Sequence, residues 1–220
     1  MDVQDKIVGN SAGWRICIVG TGGQGVLTAA RLLCDAFVEG GHDVVSGQLH
    51  GMSQRGGGVQ SSVMVDCGIC PSIGNGRADF VLGFEPAETV RVLPLMSSHT
   101  QVFMNTAPVI PFTLGQQTVS RDEDARYPAL AALEGAIRRV TENVMVLDAT
   151  QMATEAGSTK SLNLLMLGCL LGAGRLPCTA ESFWEIVTER MPPAMAEVNA
   201  RAYKLGVAMG RKFEPVGSGS

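Results

Sequence analysis

Charge is scarce in this 220-residue chain: 17% of its residues are Asp, Glu, Lys or Arg, against about 25% in an average globular protein. Disorder is excluded, because 45% of the residues are hydrophobic and disordered chains combine low hydrophobicity with high net charge. The charge present sums to −4, so there is no basic field for nucleic acid to follow. Long apolar runs are missing too. The longest, Leu164 to Gly174, has 11 residues, and a membrane span needs about 20. Met1-Asp2-Val3-Gln4-Asp5 places acids where a secretory leader needs cations and then an apolar stretch. Six cysteines are too dilute for a disulfide scaffold and suit a reduced protein of the cytoplasm. So little polar surface predicts that a partner covers part of this chain.

What the chain has instead is glycine in short loops between apolar segments. Arg15-Ile16-Cys17-Ile18-Val19 reads as a buried parallel strand. It runs into Gly20-Thr21-Gly22-Gly23-Gln24-Gly25 and then a helix with Ala29, Leu32, Leu33, Ala36 and Phe37 on one face. Gly40-Gly41 ends that helix, and Asp43 to Ser46 begins a second strand, giving a β-α-β opening. A polar loop from Gly47 to Gly58 precedes an alternating stretch, Val59 to Val65, predicted as a half-buried strand that suits antiparallel pairing. Further strands are expected at Asp79–Gly83, Gln101–Asn105 and Asn143–Leu147, with a short helix opened by Glu85-Pro86. Helices are predicted over Tyr127–Val140, Ser161–Leu171, Thr179–Arg190 and Ala194–Lys212, the last with a stripe of Met195, Val198, Ala202, Leu205 and Met209. The expected architecture is α/β: one Rossmann-like, doubly wound domain with a mostly parallel sheet and a helical C-terminus. It would occupy residues 15–212, between an N-terminal extension (1–14) and a linker-like tail (213–220).

Two glycine-rich loops carry the chemistry. Gly20-x-Gly22-x-x-Gly25, after a strand and before a helix, is a phosphate-cradle arrangement: glycine lets the backbone approach an anion, and the helix start offers free N–H groups. The alternative is that the glycines only permit tight strand–helix packing. Dinucleotide binding also wants an acid at the far end of the second strand, where this chain has Ser46-Gly47-Gln48. The second loop, His50 to Gly58, contains Arg55, the one Lys or Arg between Arg31 and Arg77. Its guanidinium, flanked by Ser53, Gln54, Gly56 and Gly57, suits a phosphate or carboxylate, or pairs with a local acid or a partner chain. His50 reads either as a structural histidine or as a catalyst. Cys67-Gly68-Ile69-Cys70 is half a metal site at most, and no metal is expected. Asp148 either faces the crevice or caps the following segment, and Asn163, in an apolar helix, needs a hydrogen-bond partner if buried. No residue stands out as catalytic.

Taken together, Ile18 to Ala30 and His50 to Gly57 resemble the gamma-type subunits of 2-oxoacid:ferredoxin oxidoreductases, and are most similar to the beta subunits of the indolepyruvate (arylpyruvate) branch. The resemblance continues through Ala78–Pro86, Asn105-Thr106, Asp148-Ala149, Asn163–Gly168 and Val198–Tyr203, so it spans residues 15–212. It implies a hetero-oligomer. A large subunit would carry thiamine diphosphate and 4Fe–4S clusters, decarboxylate the oxoacid and pass electrons to ferredoxin, while coenzyme A takes the acyl group. This chain would complete the active-site assembly and help position coenzyme A through Gly20, Gly22, Gly23, Gln24, Gly25, Ser53, Gln54, Arg55, Gly56 and Gly57. Two rival readings of the residues stay open: a free-standing NAD(P) or flavin oxidoreductase, and a non-catalytic nucleotide-binding module.

Overall fold

The computed structural model describes residues 13–50, 57–109 and 127–216. Its centre is a six-stranded sheet in the order β2-β3-β1-β4-β5-β6. The strands are β1 (Trp14–Thr21), β2 (Val44–His50), β3 (Gly58–Val65), β4 (Phe80–Gly83), β5 (Gln101–Asn105) and β6 (Val144–Leu147). β1, β4, β5 and β6 pair in parallel, whereas β3 runs antiparallel to both β1 and β2. The predicted mostly parallel sheet is therefore present, with one reversed strand wedged between the two that open the chain. Among the described residues seven α-helices accompany it: α1 (Val26–Glu39), α2 (Pro86–Arg91), α3 (Leu130–Arg138), α4 (Ala149–Glu155), α5 (Leu162–Gly172), α6 (Ala180–Glu189) and α7 (Pro193–Gly210).

Strand alternation splits the core into two layers. Ile16, Ile18, Val63, Val65, Leu82 and Phe103 face one side, where α1, α5, α6 and α7 cover them with Leu33, Phe37, Leu165, Phe183 and Val207. Cys17, Val19, Met64, Val81, Val102 and Met104 face the other, against Ile73, Val92, Met96 and Ile137. β3 is consequently buried on both faces from Ser61 to Val65, and only its first three residues are partly exposed, where its alternation suggested a half-buried strand throughout. Its polar residues Ser61 and Ser62 are inside as well, and both donate to Gly47 O, at 3.1 and 3.4 Å.

Three element boundaries differ from expectation, each for a local reason. β2 continues through Gly47 to His50, because Gly47 to His50 pair with Ser62 to Val59. Glycine suits that position in the strand, since a Cβ on Gly47 would sit 2.9 Å from both Pro71 O and Ser62 Oγ. α3 starts at Leu130 instead of Tyr127, as the proline at 128 disfavours helix before it and Ala129 is extended (φ −60°, ψ 136°). α4 was not expected at all. Asp148 opens it by accepting from Gln151 N at 2.8 Å.

Against the sheet, α5 is buried almost all round. It meets α7 backbone to backbone: a Cβ on Gly168 would lie 2.9 Å from Val207 N, and Gly206 and Gly210 would overlap Leu165 O and Cys169 O if they carried one. The predicted α7 stripe is thus rotated. Tyr203, Gly206, Val207 and Gly210 face inward, while Leu205 is 41% exposed.

Candidate functional site

At the carboxyl end of β1 the chain turns through Gly22 to Gly25 into α1. Gly23 (φ +98°) and Gly25 (φ +84°) both take the left-handed conformation that side chains resist. Among the described residues, nothing lies within 4 Å of where a Gly23 Cβ would be. Gly20 has the other role considered for these glycines, close packing: its Cβ would come 2.8 Å from Phe84 Cβ and 3.1 Å from Val26 Cγ2. Gln24 acts as the brace of the turn. Its Oε1 accepts from Thr21 N (2.8 Å) and the Thr21 hydroxyl (3.1 Å), and its Nε2 donates to Phe84 O at 2.8 Å, tying the turn to the end of β4.

α1 begins without a side-chain cap and without an acid in its first turn. Among the described residues, none accepts from the N–H groups of Gly23, Gly25, Val26, Leu27 or Thr28. Free donors at the positive end of a 14-residue helix are what an anion needs.

The second glycine loop comes to the same place. Gly22 N donates to Gly57 O at 3.1 Å, and the paired register sets Thr21 opposite Gly58 and His50 opposite Val59. The described ends of that loop therefore stand beside the first turn. Ser53, Gln54, Arg55 and Gly56 lie outside the described residues, as does the side chain of His50.

Two acids that sequence reasoning passed over adjoin this end of the sheet. Glu85, 1% exposed, caps α2 by accepting from Glu88 N at 2.8 Å, and its other oxygen accepts from Val109 N (3.3 Å) and from the Tyr127 hydroxyl. Glu88 lies against the start of β3: a Cβ on Gly58 would be 3.0 Å from Glu88 Cδ. Burial raises the Glu88 carboxyl above the usual glutamate range, with Glu85 adding to the shift and Arg91, 3.4 Å away, opposing it. The one signal in the sequence was the i, i+3 spacing of two acids across a helix start.

Asn163 is 8% exposed, and its side chain packs against Gly25: a Cβ there would be 3.2 Å from Asn163 Nδ2. Asn105 is wholly buried. Its amide donates to Phe84 O (2.9 Å) and the Thr150 hydroxyl (3.0 Å), holding the ends of β4 and β5 to α4. The cysteine pair stays apart from all of this, because Cys67 follows β3 at the opposite end of the sheet. Its thiol, raised by burial, donates to Val65 O (3.2 Å) and Trp14 O (3.4 Å), and Cys70 is exposed. Among the described residues no three His, Cys, Asp or Glu side chains are grouped to hold a metal ion.

The family model for pyruvate ferredoxin/flavodoxin oxidoreductase matches residues 15–209. The chain belongs to that family. It is 35% identical over 191 residues to the indolepyruvate oxidoreductase subunit IorB of Archaeoglobus fulgidus, covering 87% of this chain and 92% of the relative. In fold it is similar to the gamma subunit of the keto/oxoacid ferredoxin oxidoreductase of Geobacter sulfurreducens, with a TM-score of 0.63, 18% identity, and 90% and 98% of the two chains covered. It is also similar to part of the 2-oxoglutarate:ferredoxin oxidoreductase of Magnetococcus marinus, whose structure holds 2-oxoglutarate, coenzyme A and succinyl-CoA. There the TM-score is 0.68 at 15% identity, over 94% of this chain and 32% of that one. The sheet and its gamma-type relatives thus agree with the fold expected of the family. Among the described residues no helix is long and apolar enough to cross a membrane.

Proposed function

We propose that this family member is the small, non-thiamine subunit of an indolepyruvate (arylpyruvate):ferredoxin oxidoreductase. In that reaction the oxoacid loses carbon dioxide, its acyl group passes to the coenzyme A thiol, and two electrons pass to ferredoxin. The large subunit supplies the thiamine diphosphate and the iron–sulfur clusters. This chain contributes one wall of the assembly and a seat for the phosphates of coenzyme A.

One observation carries the reading: the Gly22 N–Gly57 O hydrogen bond ties the described end of the second glycine loop to the first turn, beside a helix start whose N–H groups have no acceptor among the described residues. The fit to coenzyme A is chemical. The N–H groups at the start of α1, unpaired among the described residues, can donate to phosphoryl oxygens, and Arg55, carried on the loop that ends at Gly57, adds a planar cation. The substrate assignment draws on the similarity to the indolepyruvate oxidoreductase subunit of Archaeoglobus fulgidus.

Co-purification with a large subunit, followed by anaerobic viologen reduction with indolepyruvate, tests the assignment. Activity is expected from the complex and not from either chain alone; turnover by this chain alone would refute it. In the complex, Arg55→Ala should raise the KM for coenzyme A about tenfold or more, the scale of one charge-assisted hydrogen bond, with assembly intact. Unchanged kinetics would remove Arg55 from the site.

A further inference from the structure

The amino ends of β1, β4 and β5, at the opposite end of the sheet from the glycine turn, border a hollow of about 290 Å³. Trp14 and Phe80 give it apolar wall, and Asp79, His99, Gln101 and Arg175 line it with polar groups. The sheet explains this gathering. Phe80 pairs with Ile16 on one side and with Gln101 on the other. Trp14 Nε1 donates to Arg175 O at 3.0 Å, which holds the segment after α5 against the strand starts. Gln101 is 8% exposed, and among the described residues its Oε1 is the one buried side-chain oxygen or nitrogen with no hydrogen-bond partner. A buried acceptor without a donor lowers stability, a penalty that an apolar side chain of similar length would not carry. Glutamine at this position is therefore explained by a donor that arrives from outside the chain.

The neighbouring groups give the charge of that donor. Burial raises the Asp79 carboxyl above the usual aspartate range, although Arg15 N donates to it at 2.7 Å and the Arg15 guanidinium stands 3.5 Å away. A further cation beside this half-buried acid is favoured. Arg175, exposed at the edge of the hollow, presents the opposite charge in a planar fork that suits a carboxylate. We infer that the hollow is a second ligand site, for a small α-amino acid with an apolar side chain. Its ammonium donates to Gln101 Oε1 with Asp79 as the countercharge, its carboxylate pairs with Arg175, and its side chain packs on Trp14 and Phe80. The volume, about 290 Å³, is at the lower end of small-molecule sites and suits one amino acid rather than a nucleotide. Ligands of α/β sheets ordinarily sit beyond the carboxyl ends of the strands; this site is at the other end and does not depend on how the glycine turn is read.

Isothermal titration of the full chain with L-leucine and L-phenylalanine tests this, alongside two half-ligands, 3-methylbutylamine and 4-methylpentanoate. At least one amino acid should bind, about tenfold or more tighter than either half-ligand. Gln101→Met keeps the length and removes the amide oxygen. It should weaken the amino acid at least about tenfold, while its melting temperature without ligand is no lower than that of the wild type. Arg175→Ala, at an exposed position, should weaken the amino acid and leave 3-methylbutylamine unchanged. No binding of either amino acid, half-ligands that bind as tightly, or equal affinity in wild type and Gln101→Met overturns the inference. So does a lower melting temperature of ligand-free Gln101→Met, which would make Gln101 a residue of the fold alone. If Gln101→Met fails to fold, Arg175→Ala decides: an unchanged affinity for the amino acid overturns the inference.

Discussion

Glu88 shows how much a single residue can add that its sequence position conceals. In sequence it is one acid in a short polar stretch after Glu85-Pro86. In the fold it is buried against Gly58, and burial raises its carboxyl above the ordinary range. Unfolded, this glutamate ionises in that ordinary range; folded, it keeps its proton to higher pH. Between the two, the folded state binds the extra proton, so stability falls as pH rises through the interval and the loss persists above it. Glu88→Gln removes the charge, at the expense only of a half-exposed pairing with Arg91 whose worth is small. Calorimetry should therefore show a melting temperature above wild type at pH 7–8 and little difference near pH 4; a lower value at pH 7 would mean that the charge is stabilising. The glycine motif was easier to read. Its spacing announced a tight strand-to-helix turn, and Gly23 and Gly25 do take positive φ. The separate jobs of Gly20, packed against Phe84, and of Gln24, donating to Phe84 O, needed the third dimension because that partner lies about sixty positions away.

At the level of elements, the contact between α5 and α7 separates what side-chain patterns convey from what they hide. Periodicity located α7 to within two residues but pointed to a face rotated from the packed one, which it shares at Ala202 and misses at Leu205. The pattern was scored on large apolar side chains, whereas the packed face includes Gly206 and Gly210, where the backbone itself is the surface. Two helical glycines, Gly206 in α7 and Gly135 in α3, give opposite expectations when a methyl group is added. Gly206→Ala would drive a Cβ into Leu165 O, and overpacking of this kind costs about 1–3 kcal/mol or more. Gly135→Ala in α3 has only Arg139 Nη1, 4.0 Å away, to meet. It should stabilise by about 0.5–1 kcal/mol through helix propensity alone. Urea unfolding of both variants measures the difference; a Gly206→Ala protein as stable as wild type would mean that the helices separate without penalty. The strands were legible as apolar runs, but the length of β2 was not, since Gly47-Gln48-Leu49-His50 is polar and glycine-bearing and is held as strand only by its pairing with β3.

For the molecule as a whole, the decisive feature is the place of β3. In dinucleotide-binding folds the strand beside β1 ends in an acid that holds the ribose hydroxyls. Here the neighbour on that side is β3, reversed, so what it presents at the glycine turn is its own beginning, Gly58. β2 is displaced by two strand spacings, about 9.5 Å, and its last residues are Gln48-Leu49-His50. On the other side of β1, β4 is followed by an acid, Glu85, but it is 1% exposed and both its oxygens are engaged, by Glu88 N on one and by Val109 N and Tyr127 on the other. Among the described residues, no acid at the ends of β2, β3 or β4 is therefore free to hold the ribose of a nicotinamide dinucleotide at this turn. Composition could not reveal this, because the order of strands in a sheet depends on which runs pair, and a β-α-β opening reads the same whether or not a third strand later inserts. The expectation is specific: NADH or NADPH fluorescence should show no saturable change with the purified chain at submillimolar concentrations, under conditions where pyrophosphate gives measurable heat. Saturable dinucleotide binding would require an acid to reach the ribose from a segment other than β2, β3 or β4, and would move the chain from an assembly subunit toward a self-contained oxidoreductase.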